Sequence, residues 1–153
     1  MAVLLSLEKT FTDDDRHTHK VFPFSVPSGI KEIRVKMSYS PKDCDDEEKS
    51  LAIIRGILSR DAWYRTFTEE EVRGFLPLRN HISVSLDSPE GWLGTAHRHA
   101  PRQEYFINGK DCACGFRPAA TVAGEWKITL SLNCVVTGKV DVRVVVEGFD
   151  EIR

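Results

Sequence analysis

Apolar and polar side chains alternate along four segments of the chain, and this alternation restricts the fold more than any other feature. The segments are residues 33–39, 82–86, 126–132 and 140–146. A period of two is typical of β-strands that bury one face. Turn residues separate many of the strands, at Ser88-Pro89-Glu90-Gly91, Asn108-Gly109, Ala123-Gly124 and Thr137-Gly138. Many short strands with frequent turns favour antiparallel sheets. We therefore predict a mainly β protein, an antiparallel β-sandwich of jelly-roll type.

A chain of 153 residues has the length of one domain with a full core. We predict a single domain over residues 1–153. Shorter strands are predicted near residues 3–7, 22–26 and 105–107, with a polar loop over residues 10–19. The apolar faces predict a core that includes Val35, Val84, Trp126, Ile128, Val142 and Val144.

A helical insert is predicted within the sandwich, at about residues 45–75. Acidic residues 45–48 suit a helix N-terminus, and apolar residues then recur at helical spacing. Thr68 with Glu71 forms a candidate capping box for a second, shorter helix. We expect the insert to lie on an edge or an end of the sandwich and to pack Leu51, Ile54 and Leu58 against it.

The charge balance argues against two classes of partner. Lys and Arg number 21 against 23 Asp and Glu, so the net charge is −2. A chain with no basic excess is not expected to bind nucleic acid or an anionic membrane. The N-terminal apolar run covers only residues 2–5, too short for a signal peptide or a span, which predicts a cytoplasmic protein.

In that compartment the cysteines are expected to be reduced thiols: Cys44, Cys112, Cys114 and Cys134. A four-thiolate zinc site is the alternative. One residue separates Cys112 from Cys114, whereas paired zinc ligands usually have two or more residues between them. The pattern therefore favours thiols that do not bind metal.

The best candidate for a binding surface is the stretch that runs from Trp92 to His99. Trp92 follows a Pro-Glu-Gly turn, and His97-Arg98-His99 reads as a polar strand. An amphipathic Trp beside polar groups suits a binding surface, and the planar Arg98 fork suits an anionic group. We expect Trp92, His97, Arg98 and His99 to bind an anion or a sugar rather than a metal ion, and we expect no cofactor.

A metal site is the alternative for the same stretch. Histidines two apart on a strand project from one face, and Glu104 follows five residues later. The spacing from Gly91 through His97 and His99 to Glu104 resembles the first motif of the cupins. That resemblance implies a small metal-dependent enzyme using His97, His99 and Glu104. The cupin glycine is replaced by Asp111, and no histidine follows His99.

The common catalytic signatures are missing from the chain. It has no P-loop, no dinucleotide-binding glycine fingerprint, no His-Glu-x-x-His and no Gly-x-Ser-x-Gly. His17-Thr18-His19 beside three aspartates is more typical of a solvated loop than of a metal site. Enzyme function is therefore not favoured by any local motif.

Several segments in a fixed order resemble a known module. They are VFPFSVPSGIKEIRVKMSYSP, NHISVSLDSP with GWLGTAHR, AGEWKITLSL and GKVDVRVVVEG. They are similar to the β-sandwich module that precedes the catalytic domain in PHP-type metal-dependent phosphoesterases of the CehA/McbA-like group. The His-x-His motif that opens that catalytic domain does not follow the last segment here, since the sequence stops at Arg153.

The resemblance implies a non-catalytic accessory module, alone or with a separately encoded phosphoesterase, and it carries over no metal ligands. Ligand or protein binding is the function expected from it. A structural domain that forms homo-oligomers without a ligand is a further alternative.

Overall fold

The computed structural model describes residues 1–153 and contains eight strands. They are β1 (Ala2–Thr12), β2 (Thr18–Val26), β3 (Glu32–Ser40), β4 (His81–Ser88), β5 (Gly91–Ala96), β6 (Arg102–Asn108), β7 (Gly124–Cys134) and β8 (Lys139–Phe149). A 3-10 helix, Asp13–Asp15, follows β1. Two α-helices, α1 (Glu47–Asp61) and α2 (Glu69–Arg73), lie between β3 and β4.

The strands form two four-stranded antiparallel sheets, with the orders β1-β8-β3-β6 and β2-β7-β4-β5. All connections except β4–β5 cross from one sheet to the other. This is the strand order of a jelly roll. The predicted mainly β, antiparallel sandwich with a helical insert is confirmed.

Side chains from the inner faces of both sheets meet in one core cluster of 24 buried residues. All six residues predicted for the core are buried there. Trp126 is fully buried, and its indole nitrogen donates to the Val122 carbonyl at 2.9 Å. Its polar end is therefore satisfied, as a buried indole requires.

Two sequence predictions about strands are wrong. Residues 10–19 are not one loop, because β1 continues to Thr12 and β2 begins at Thr18. Their polar side chains lie on strands that pair with β8 and β7. His97, Arg98 and His99 are not on a strand, because β5 ends at Ala96 and these residues form the β5–β6 loop.

The helical insert has a small core of its own. Leu51 and Ile54 of α1 cluster with Val72 of α2, and the partly buried side chains around them come from the insert and its exit: Leu58, Phe67, Leu76 and Leu78. The prediction that Leu51, Ile54 and Leu58 pack against the sandwich is therefore wrong. The helix boundaries follow local chemistry, since Asp46 caps α1 and the predicted Thr68–Glu71 capping box begins α2.

The insert joins the sandwich through a short two-stranded neck, residues 42–44 and 78–80. The Cys44 amide donates to the Leu78 carbonyl at 2.8 Å, and the Asn80 amide donates to the Lys42 carbonyl at 2.9 Å. We call this end of the sandwich the insert end. The loops β1–β2, β5–β6 and β7–β8 lie at the same end, because the strands that they connect stop there.

The long β6–β7 connection closes one side of the sandwich. It bridges to β6 through Cys112 and to the edge of β5 through Phe116. Gly94 of β5 has φ +140°, and a side chain there would clash with the backbone of Gly115 and Phe116. A glycine is therefore needed where this loop crosses the edge strand.

Candidate metal centre

Three histidines converge at the insert end. His81 is the first residue of β4, and His97 and His99 lie in the β5–β6 loop. One ring nitrogen from each of the three lies within 4.8 Å of those of the other two. The His81 ring stacks on His99 with centroids 4.4 Å apart, and it meets the edge of His97 at 4.3 Å. No other group of three or more histidine, cysteine or carboxylate side chains has this proximity.

The hairpin register explains why these residues meet. Val84 of β4 pairs with Ala96 of β5. Continuing that antiparallel register by three residues places His99 opposite His81. Opposite residues lie within about 5.5 Å of each other at Cβ, which agrees with the stacked rings. His81 was not part of the predicted site, since nothing in the local sequence connects it to residues 97–99.

The loop that carries His97 and His99 is held by a buried amide. The Nε2 of Gln103 donates to the carbonyl of Arg98 at 3.0 Å and to that of Ala100. Its Oε1 accepts from the Tyr105 hydroxyl. Because Gln103 fixes the carbonyls on both sides of His99, this imidazole projects from an ordered backbone.

The backbone before His81 is also fixed by a buried side-chain amide, that of Asn80. Asn80 is fully buried, and its side chain bonds the Pro41 carbonyl at 2.9 Å, the Thr137 hydroxyl at 2.7 Å and the Val136 amide at 2.8 Å. These bonds tie β4 to the neck and to the β7–β8 loop. A buried side chain with all these partners rigidifies its surroundings.

Tyr39 and Lys42 join the two ligand-bearing segments. The Tyr39 hydroxyl lies 3.3 Å from the Asn80 carbonyl and 3.4 Å from the His99 carbonyl. The Lys42 ammonium donates to the Asn80 carbonyl at 2.8 Å and to the Tyr39 hydroxyl at 3.0 Å. The bonds to the Asn80 and His99 carbonyls fix the two backbone segments relative to each other without contacting an imidazole ring.

His81 is the most constrained of the three imidazoles. Its Nε2 is buried and has no hydrogen-bond partner, whereas His97 and His99 are exposed. Burial, followed by the charges of His97, His99 and Lys42, lowers the pKa of His81 to about 4, although the Arg98 backbone acts in the opposite direction. His81 is therefore neutral at pH 7. A buried polar atom without a partner costs about 1–3 kcal/mol, so it calls for an explanation.

A metal ion would supply the missing partner of His81. Imidazole nitrogens suit Zn²⁺, Cu²⁺ and Ni²⁺, and zinc is bound at about 2.0–2.1 Å from nitrogen. In a tetrahedral site the nitrogens are about 3.4 Å apart. Rotation of the exposed His97 and His99 rings would bring the present nitrogens, within 4.8 Å of one another, to that spacing. The donor set therefore fits a divalent transition metal.

The structure separates Trp92 from the two histidines predicted to lie beside it. Trp92 is 60% exposed near the β4–β5 turn, at the end of the sandwich opposite the insert. His97 follows Trp92 by five positions along an extended strand, which is about 17 Å at the usual rise per residue. The binding surface predicted from Trp92, His97 and His99 is therefore divided, with Trp92 at one end of the sandwich and the two histidines at the other.

Arg98 and Glu104 also lie outside the cluster. The Arg98 guanidinium lies over the Tyr105 ring, 4.8 Å from its centroid, and contacts the Cys114 carbonyl. Glu104 is on β6, where it pairs with Arg34 at 3.6 Å. The structure thus groups His97 and His99 with His81 rather than with Glu104.

The cysteines and the N-terminal histidines do not form a second centre. All four cysteines are free, and Cys44 is buried with its thiol 3.3 Å from the Val136 carbonyl. Cys112 contacts the Phe116 carbonyl within the β6–β7 loop. His19 bonds the Ser131 hydroxyl at 2.8 Å across β2 and β7. Cys44, Cys112 and His19 therefore each contact a neighbouring protein group rather than one another.

No helix of the protein is both long and apolar enough to cross a lipid bilayer. Comparison with known proteins gives no relative from which a role could be transferred: no protein-family model and no curated protein sequence matches this chain.

Proposed function

We propose that this protein is a non-catalytic binding module in which His81, His97 and His99 hold one divalent transition-metal ion, with Zn²⁺ as the first candidate. The observation that carries the proposal is the buried, unpartnered Nε2 of His81 beside two exposed imidazoles. Neutral imidazoles alone favour zinc, copper or nickel over magnesium or calcium, which prefer oxygen ligands.

Three imidazoles with an open fourth position also hold zinc in known enzymes, so the ligand set is not what makes the proposal non-catalytic. That part of the proposal rests on the order of segments along the chain. The order of segments that resembles the sandwich module of PHP-type phosphoesterases supports an accessory role, with a separately encoded phosphoesterase as the proposed partner.

Metal titration of the purified, chelator-treated protein tests the proposal. We expect calorimetry to give one Zn²⁺ per chain, and binding at 100 times the dissociation constant to add about 2.7 kcal/mol of stability. For a domain of this size that corresponds to a rise in Tm of about 5–10 °C. The variants His81→Ala and His99→Ala should each lose most of this shift.

Two matched controls separate this site from its alternatives. His17→Asn removes an exposed histidine outside the cluster, and Asn tolerates its positive φ of 63°. Glu104→Gln removes the carboxylate of the cupin-like set. Both variants should bind Zn²⁺ as the parent does. Absence of stoichiometric binding, or equal loss in His17→Asn, would refute the proposal, and loss in Glu104→Gln would favour the cupin-like enzyme.

A further inference from the structure

The three-histidine cluster leaves one coordination position for a ligand from outside the chain. Zinc sites are almost always four-coordinate, and the cluster offers three donors. His97 and His99 are both exposed, so the remaining position faces solvent. A site of this kind is filled by water or by an added ligand.

The charge around the cluster determines which ligand is favoured. The cluster contains no carboxylate and no thiolate, so a bound dication would keep its full charge. Lys42 adds a further positive charge, since its ammonium lies 2.8 Å from the carbonyl of Asn80, the residue before His81. Lys42 has no acidic partner, because both of its hydrogen bonds go to neutral oxygens.

Other charged groups nearby do not cancel this excess. Arg79 of the neck is paired with Asp43 at 3.1 Å, and Asp13 of the β1–β2 loop is paired with Lys49 of α1. These two ion pairs carry no net charge, so they do not offset the positive charge of the dication and Lys42. An anion at the open position would therefore be stabilised by both, and a dianion more than a monoanion.

We infer that the metal-loaded cluster binds a phosphate dianion, inorganic or as a monoester, through the coordination position that the three histidines leave open. This inference rests on the proposed metal binding and names the ligand class of the same site. Phosphate carries a charge of about −1.5 to −2 at pH 7 and offers oxygen atoms as ligands and acceptors. Acetate offers the same donor atom with a single charge.

Cobalt-loaded protein gives a direct readout of the open position. Co²⁺ replaces zinc at nitrogen sites, and its visible ligand-field spectrum changes when a coordinated water is exchanged for another ligand. We expect inorganic phosphate, added at constant ionic strength, to change the spectrum saturably with one phosphate per chain. Acetate, with its single charge, should change the spectrum only at higher concentration. A spectral change with phenyl phosphate would show that the site admits a phosphate monoester, and no change would show that it admits only the free ion.

Variants of Lys42 test the role of the second positive charge. With cobalt at saturation, Lys42→Gln should weaken phosphate binding roughly two- to fivefold, the effect expected in water of one unit charge about 10 Å from a dianion. Lys42→Arg keeps the charge and should retain phosphate affinity. Equal phosphate affinity in the parent and in Lys42→Gln would overturn the charge argument.

The outcomes for metal and for anion are distinguishable. Cobalt that does not bind overturns both the proposed function and this inference. Cobalt that binds with a spectrum unaffected by phosphate overturns the inference alone, and so does phosphate that strips cobalt from the protein.

Discussion

Protonation of His81 opposes folding, because the folded protein holds this side chain neutral. Its pKa in the folded protein is lowered from 6.5 to about 4, chiefly by burial and then by His97, His99 and Lys42. Between these two values the unfolded chain binds a proton that the folded chain does not. The free energy of unfolding therefore falls as the pH is lowered through this window.

We expect the metal-free protein to lose stability between pH 7.5 and pH 5, and His81→Asn to lose less over the same interval. Urea unfolding in the presence of a chelator measures both slopes. His17→Asn is the control, because it removes an exposed histidine outside the cluster. Identical slopes for the parent and His81→Asn would mean that His81 is not held neutral by its surroundings.

At this scale the sequence singles out two of the three histidines in the cluster. His97 and His99 stand out as a pair, but His81 is separated from them by a whole hairpin. A register shift between Leu86 and Asp87 decides which residue lies opposite His81. Without that bulge the pairing of Ser88 with Gly91 would continue to Arg98 instead of His99. Turn residues do not reveal such a bulge, so the sequence does not show that His81 lies beside His97 and His99.

At the scale of elements, local chemistry predicts most of the helical insert, but its packing depends on tertiary contacts. Acidic residues, helical spacing and a capping box locate α1 and α2 in the sequence. The same apolar stripe gives no indication of whether its partner is the sandwich or a second helix. Leu51 and Ile54 pair with Val72, so the insert satisfies its own apolar face.

We expect the sandwich to fold without the insert. The Cys44 amide already donates to the Leu78 carbonyl, so an Asn-Gly turn in place of residues 45–77 would close the neck as a two-residue hairpin. The partly exposed Lys49–Asp13 ion pair would be lost, which costs about 0–1 kcal/mol. Light scattering should give a monomer if the parent is one. Zn²⁺ affinity should stay within roughly fivefold of the parent, because about 1 kcal/mol, the upper end of this cost, corresponds to that change.

Association or misfolding of the shortened protein would support the sequence prediction that the insert packs against the sandwich. If the shortened protein associates or fails to fold, the insert covers apolar sandwich surface that the separate helical cluster does not account for. A second variant, Val72→Ala, keeps the chain length and removes only a contact within the insert. It should leave the thermal unfolding of the sandwich and Zn²⁺ binding unchanged.

At the scale of the whole molecule, alternation predicts the sandwich but not the positions of its ends. Each of the four alternating segments buries the face that its sequence indicates, because a period of two leaves only one choice of face. Which loops share an end depends on the strand order, and that order is set by long-range pairing. Trp92 and His97 are close in sequence, yet they lie at opposite ends because β5 runs the length of the sheet between them.

The separation of the two ends gives a last prediction. Trp92→Ala should leave Zn²⁺ affinity unchanged within about 0.3–0.5 kcal/mol, because sites more than 7–10 Å apart without shared partners act independently. The double variant Trp92→Ala with His97→Ala should bind as weakly as His97→Ala alone, measured by calorimetry. A coupling energy above roughly 1 kcal/mol would mean that the two ends communicate and that the surface predicted from residues 92–99 is one site after all.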